Sequence, residues 1–163
     1  MAGEMQSRVT QDEVIQMAVQ MEELGRDFYE ALGGATGDPR VFQLCHRLAA
    51  EEDKHREVFR RLHSDLAARG ESVMLADEQT AAARHRIRER VVPTSETIRQ
   101  VACGGNVIDA LNMAVKMEAE AVRFYTHLAG SLPPGNSIEA VIAEERTHLR
   151  LLSAVRCGLE TGH

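Results

Sequence analysis

Apolar residues recur at spacings of three and four in four stretches of the chain, each bounded by helix start and stop residues, so the pattern predicts four amphipathic helices. The first runs from about Gln11 to Leu32, opened by Thr10 with Glu13 as a capping box and closed by Gly33-Gly34. The second begins at Asp38-Pro39, a cap followed by proline in the first turn, and continues to Arg69 before Gly70. The third follows Gly104-Gly105-Asn106 and reaches Ala129 before Gly130, and the fourth starts near Asn136 and ends before Gly158. Short Gly-rich connections fold helices one and two, and helices three and four, into antiparallel hairpins. Residues 71–105 are too long for a tight turn; residues 76–92 within them read as a further helix whose arginines form a solvated face. The expected fold class is all-α: one domain over residues 1–163, with hairpins at about 10–70 and 106–157 joined by a long crossover over 71–105.

The two hairpins repeat each other. An offset of 96 places Met17-Ala18-Val19 on Met113-Ala114-Val115, Met21-Glu22 on Met117-Glu118, and Phe28-Tyr29 on Phe124-Tyr125. An offset of 93 places Ala50-Glu51-Glu52 on Ala143-Glu144-Glu145 and His55 on His148. Each hairpin therefore has one helix with a glutamate seven residues before a tyrosine, and one with Glu-x-x-His.

Positions i and i+3 neighbour each other on a helix, so Glu52 with His55 and Glu145 with His148 can each grip one ion. Glu22 and Glu118 fall on apolar, core-facing stripes, flanked by Ala18 and Gly25 and by Ala114 and Ala121. Burying an unpaired carboxylate costs several kcal/mol, and two divalent ions would neutralise four of them. Glu22 and Glu52 each lie roughly 15–20 Å from their shared loop at 1.5 Å per residue, which puts them at one level of the bundle. The set Glu22, Glu52, His55, Glu118, Glu145 and His148 is the donor set of di-iron and di-manganese carboxylate bundles.

The strings MEELGRDFY with AAEEDKH, and MEAEAVRFY with IAEERTH, resemble the rubrerythrin-like branch of the ferritin-like superfamily over residues 10–157. The resemblance implies a ferritin-like di-iron four-helix bundle with two iron ions per chain, manganese being an acceptable substitute. It implies that Glu52 and Glu145 bridge the metals, that Glu22 and Glu118 bind terminally, and that His55 and His148 complete one ion each. There are two departures from the family pattern. The cysteine-rich rubredoxin segment is missing, and Ala121 stands where rubrerythrins carry a second glutamate on the third helix, which brings the site closer to a ferroxidase centre. Oxygen or hydrogen peroxide with an unidentified electron donor are the expected reaction partners, and a homodimer or higher homo-oligomer is the expected assembly. Three functions follow: a di-iron oxidoreductase, a ferroxidase or iron-storage protein, and a structural bundle with a vestigial site.

Around the ligand set, Tyr29 and Tyr125 are expected to hydrogen-bond a metal carboxylate. Glu51 and Glu144 are either surface acids or partners of the histidine in the opposite hairpin. Met17, Met21, Met113 and Met117 read as core filler. Gly25, which corresponds to Ala121, reads as open space beside helix one, so that oxidant approaches there and Gly25→Leu obstructs it without disturbing metal.

Composition narrows the remaining possibilities. A net charge of −6 with both signs interspersed lacks the basic stripe that nucleic acid requires. No run approaches the roughly 18 apolar residues of a membrane span, and the polar start MAGEMQSRVT has no secretory core, so a cytoplasmic protein is expected. Cys45, Cys103 and Cys157 form no Cys-x-x-Cys pair and are expected to be buried small hydrophobes.

Overall fold

The computed structural model describes residues 11–70, 95–132 and 137–162. These contain five helices and no strand: α1 (Gln11–Ala35), α2 (Pro39–Arg69), α3 (Ser95–Cys103), α4 (Val107–Gly130) and α5 (Ile138–Thr161). Helices α1 and α2 form one hairpin and α4 and α5 the other, with α1 beside α4 and α2 beside α5. The bundle is all-α, as the apolar periodicity requires. The helix expected at 76–92, the Thr10 cap and the Asn136 start lie outside the described residues.

Side chains fix several helix ends. The Asp38 carboxylate accepts from the backbone N–H of Arg40 at 2.8 Å and of Val41 at 3.3 Å, with Pro39 in the first turn. Asn106 caps α4 through the N–H of Ile108 at 3.1 Å. Gly70 closes α2 at φ 64°, a left-handed conformation that glycine adopts without a Cβ clash. Two expected stops are read through instead. Helix α1 continues across Gly33-Gly34 to Ala35, because Gly33 packs against α2 so closely that a Cβ there would lie 3.3 Å from Cys45. Helix α5 continues across Gly158, where Leu159 still packs on the core, and ends at Gly162 with φ 73°. A glycine inside a helix costs about 1 kcal/mol, which such packing offsets.

Helix α3, absent from the sequence-based expectation, lies against α1 and puts Val101 and Ala102 on the core. Of the cysteines only Cys45 is buried, its thiol pushed up to about 12 by that burial, while Cys103 and Cys157 are exposed.

The core is divided in two. Val14, Phe59, Leu62, Phe124, Leu128 and Val141 belong to one apolar cluster, and Phe28, Leu32, Val41, Leu48, Leu111 and Leu152 to the other. Along α1 the first cluster is met at residues 14–18 and the second at 28–32, with Glu22 between. The other three long helices cross in the same way, at Glu52 and His55, at Glu118, and at Glu145 and His148. A polar layer thus separates two apolar ones.

Candidate metal centre

The polar layer consists of the six residues of the repeated motif. Glu22, Glu52, His55, Glu118, Glu145 and His148 are all buried, the most exposed at 4%, and they are the buried charged or polar side chains among the described residues. Periodicity explains why they meet. Each occupies a core-facing position of its helix, and the antiparallel hairpins bring equal distances from the loops to one level.

The six residues form two overlapping groups. Donor atoms of Glu22, Glu52, His55 and Glu145 lie within 4.8 Å of one another, as do those of Glu52, Glu118, Glu145 and His148. Glu52 and Glu145 belong to both groups. Glu145 lies between the two imidazoles, one oxygen 2.9 Å from His55 Nδ1 and the other 3.0 Å from His148 Nδ1. The imidazole rings are 5.5 Å apart.

Outside this centre the contacts cross from one hairpin to the other. His55 Nε2 meets Glu144 at 2.7 Å and His148 Nε2 meets Glu51 at 2.8 Å. The Tyr29 hydroxyl donates to Glu118, and the Tyr125 hydroxyl donates to Glu22. Of the two readings of Glu51 and Glu144, the geometry therefore favours contact with the opposite histidine. Glu51 is further held by Arg47 at 3.0 Å. With each Nε2–H donated outward, each Nδ1 faces the centre, where it would offer its lone pair to a cation that displaced its proton.

Six buried atoms at the centre have no hydrogen-bond partner: Glu22 Oε2, Glu52 Oε1, both oxygens of Glu145, and Nδ1 of His55 and His148. Buried polar atoms are rarely left unsatisfied, so six orphans converging from three helices, α1, α2 and α5, mark a place shaped for something that accepts their lone pairs. A pair of cations fits that requirement in charge and in donor type.

The protonation of the metal-free site reflects the same crowding. Burial, reinforced by neighbouring glutamates, holds Glu52 and Glu118 well above the usual carboxylate range. Burial would lower both histidines, but the carboxylates around them win and push each up to about 10. Burial would raise Glu145, but the two imidazoles flanking it hold it well below the usual range. Burial also raises Tyr29 and Tyr125, which keeps both hydroxyls protonated as donors.

Gly25 lines a cavity that reaches the polar layer, but towards Glu52 it has no room to spare. A Cβ built there would lie 3.2 Å from Glu52 Oε2 and 3.3 Å from its Cδ, so the missing side chain makes room for the Glu52 carboxylate. A leucine at position 25 would strike that carboxylate, and the expectation that Gly25→Leu leaves metal binding intact is corrected accordingly. The sequence signal was present, as a mid-helix glycine one turn from a buried acid.

A cavity of about 900 Å³ opens between α1 and α4 and reaches Glu22, Glu52 and Glu118. Met17, Met21, Met113 and Met117 line it, so they are cavity wall as well as core filler. No helix among the described residues is long and apolar enough to cross a membrane.

The family model described as Rubrerythrin matches residues 13–106, more than half of the chain. The match includes Glu22, Glu52 and His55, and the internal repeat carries the correspondence on to Glu118, Glu145 and His148. No curated protein and no solved structure matches.

Proposed function

Because the chain belongs to the rubrerythrin family of ferritin-like di-iron proteins, we propose that it is a non-haem di-iron oxidoreductase acting on oxygen or hydrogen peroxide, with Glu22, Glu52, His55, Glu118, Glu145 and His148 as the metal ligands. The observation that carries the reading is the set of six unpartnered buried donor atoms. Glu52 and Glu145, common to both groups of donors, are assigned as bridges. Glu22 with His55 would hold one ion, and Glu118 with His148 the other. A bound pair of iron ions supplies two electrons and two adjacent Lewis acids for reduction of an oxygen–oxygen bond. The donor set of carboxylate and imidazole accepts manganese as well.

The chain's own groups do the positioning. Tyr125 holds one oxygen of Glu22 and Tyr29 one oxygen of Glu118, which fixes the carboxylate planes and leaves the other oxygen of each for the centre. Glu144 and Glu51 accept hydrogen bonds from Nε2–H of His55 and His148, which sets tautomer and ring orientation. Apolar clusters above and below close the layer along the bundle axis, so that solvent and oxidant reach it from the side, through the cavity between α1 and α4. Domain extent follows the same reading: the two hairpins act as one unit because each contributes half of the site.

The crosswise symmetry of the six donors, with Ala121 in place of the additional family glutamate, favours a second reading as a ferroxidase that hands iron onward for storage. Anaerobic loading with ferrous iron, followed by stopped-flow mixing with oxygen and with peroxide, tests the proposal. Two irons per chain and rapid oxidation by one oxidant are expected. Iron that fails to bind, or that binds and is oxidised no faster than free ferrous ion, refutes both readings in favour of a vestigial site. Native mass spectrometry separates the first two, since storage requires a closed cage and the oxidoreductase does not.

A further inference from the structure

The cavity between α1 and α4 is far larger than either oxidant needs. At about 900 Å³ it has room for roughly 30 waters at ~30 Å³ each, and it lies at the upper end of the ~300–1,000 Å³ typical of small-molecule sites. Met17, Met21, Leu24, Met113, Val115 and Met117 make its wall apolar, and flexible methionines adapt to ligands of varied shape. At its deep end stand Glu22 and Glu52, each nine-tenths or more buried and each with an unpartnered oxygen.

The charged residues at the mouth are not equivalent. Arg123 is paired with Glu120, and Asp109, which accepts a hydrogen bond from the Asn106 side chain at 2.7 Å, keeps its charge but stands in the first turn of α4, where the helix N-terminus offsets it. Lys116 is exposed, lines the cavity, and has no ion-pair partner among the described residues. An apolar trough with a free ammonium at its mouth complements a molecule with an apolar body and one anionic end. A second copy of this chain complements it poorly, since the one large exposed hydrophobic among the described residues, Phe42, is on α2, away from this seam.

We infer that the cavity between α1 and α4 binds a carboxylic acid with an apolar body, its carboxylate at Lys116 and its body along the methionine wall towards the polar layer. The site would give the proposed centre an organic substrate or effector. The inference rests on that proposal only for what the deep end contacts, because the trough and Lys116 belong to the protein with or without metal.

The test is calorimetric titration of the full chain with decanoate, metal-free and iron-loaded, with decanol as the uncharged comparison. One decanoate per chain is expected in both forms, with decanol at least tenfold weaker. Lys116→Glu should weaken decanoate at least tenfold and leave decanol unchanged. Met113→Trp, which fills the trough without replacing a proposed metal ligand, should weaken both at least tenfold at unchanged helicity and metal content, and Phe42→Ser should change neither. Absence of decanoate binding in both forms overturns the inference. So does binding insensitive to Met113→Trp but lost in Phe42→Ser, or a dimer that dissociates on Lys116→Glu and thereby shows the trough to be covered by a second copy. Decanoate binding to a chain that takes up no metal would sink the proposed function and leave this site standing.

Discussion

Replacing Gly25 with alanine sets two effects of known size against each other. Alanine in mid-helix is favoured over glycine by about 0.5–1 kcal/mol. Its Cβ, however, would stand 3.2 Å from Glu52 Oε2, 3.3 Å from Cδ and 3.4 Å from Cγ, so the carboxylate must move by a few tenths of an ångström. In the metal-free protein that movement is cheap, because the end of a glutamate side chain rotates. The propensity gain should survive in part, leaving the melting temperature between unchanged and about 4 °C higher, at roughly 2–4 °C per kcal/mol for a chain of this size. With metal bound the carboxylate is pinned, since metal–oxygen distances tolerate about ±0.2 Å. Disturbances of that kind cost about 10–100-fold in affinity, or roughly 1.4–2.7 kcal/mol of metal-dependent stabilisation at fixed free metal. Gly25→Ala should therefore melt at or above the parent without metal and below it with metal. Gly34→Ala, whose Cβ meets nothing within 4 Å, is the control and should shift both forms equally. If Gly25→Ala also shifts both forms equally, the glycine does not make room for a metal-binding Glu52.

Three further outcomes are expected. Glu52→Ala and Glu145→Ala should each disturb both ions, read as loss of more than one metal per chain and a changed optical spectrum; one ion retained at full affinity would show that the altered residue does not bridge. Glu144→Gln, which keeps the shape but weakens acceptance of the His55 proton, should lower metal affinity about 10–100-fold with little change in metal-free melting; unchanged affinity would reduce Glu144 to a surface acid. Metal-free stability should fall as pH rises from about 5 to about 10. The folded form holds protons on Glu52 and Glu118 that the unfolded chain releases above about 4.5, and on His55 and His148 that the unfolded chain releases above about 6.5 but the folded chain keeps to about 10. Glu145 acts in the opposite sense, but only as pH falls below its ordinary value. A metal-free melting temperature that is flat or rises over that range would contradict the crowded polar layer.

Much of this protein is written in local sequence. Apolar period, caps and glycine stops define the four long helices to within a few residues, because these depend on contacts within a turn or two of the same helix. The internal repeat selected the six buried donors, because an acid on an apolar stripe is conspicuous once the stripe is read twice. What local pattern could not decide is what lies across the gap between hairpins. That Tyr29 meets Glu118 and not its own Glu22, that Glu144 meets His55 instead of standing as a plain surface acid, and that Gly25 makes room for Glu52 all depend on helix separation and rotation. Those are set by how two apolar clusters pack around the polar layer. Gly33 and Gly158 read as stops because glycine is a poor helix former, and the structure overrides them where close packing against Cys45 and a further apolar contact at Leu159 offset the cost. The methionines are apolar in either setting, so sequence could not tell core from cavity wall. Only the divergence of α1 from α4 turned that stripe into the side of a cavity leading to the polar layer.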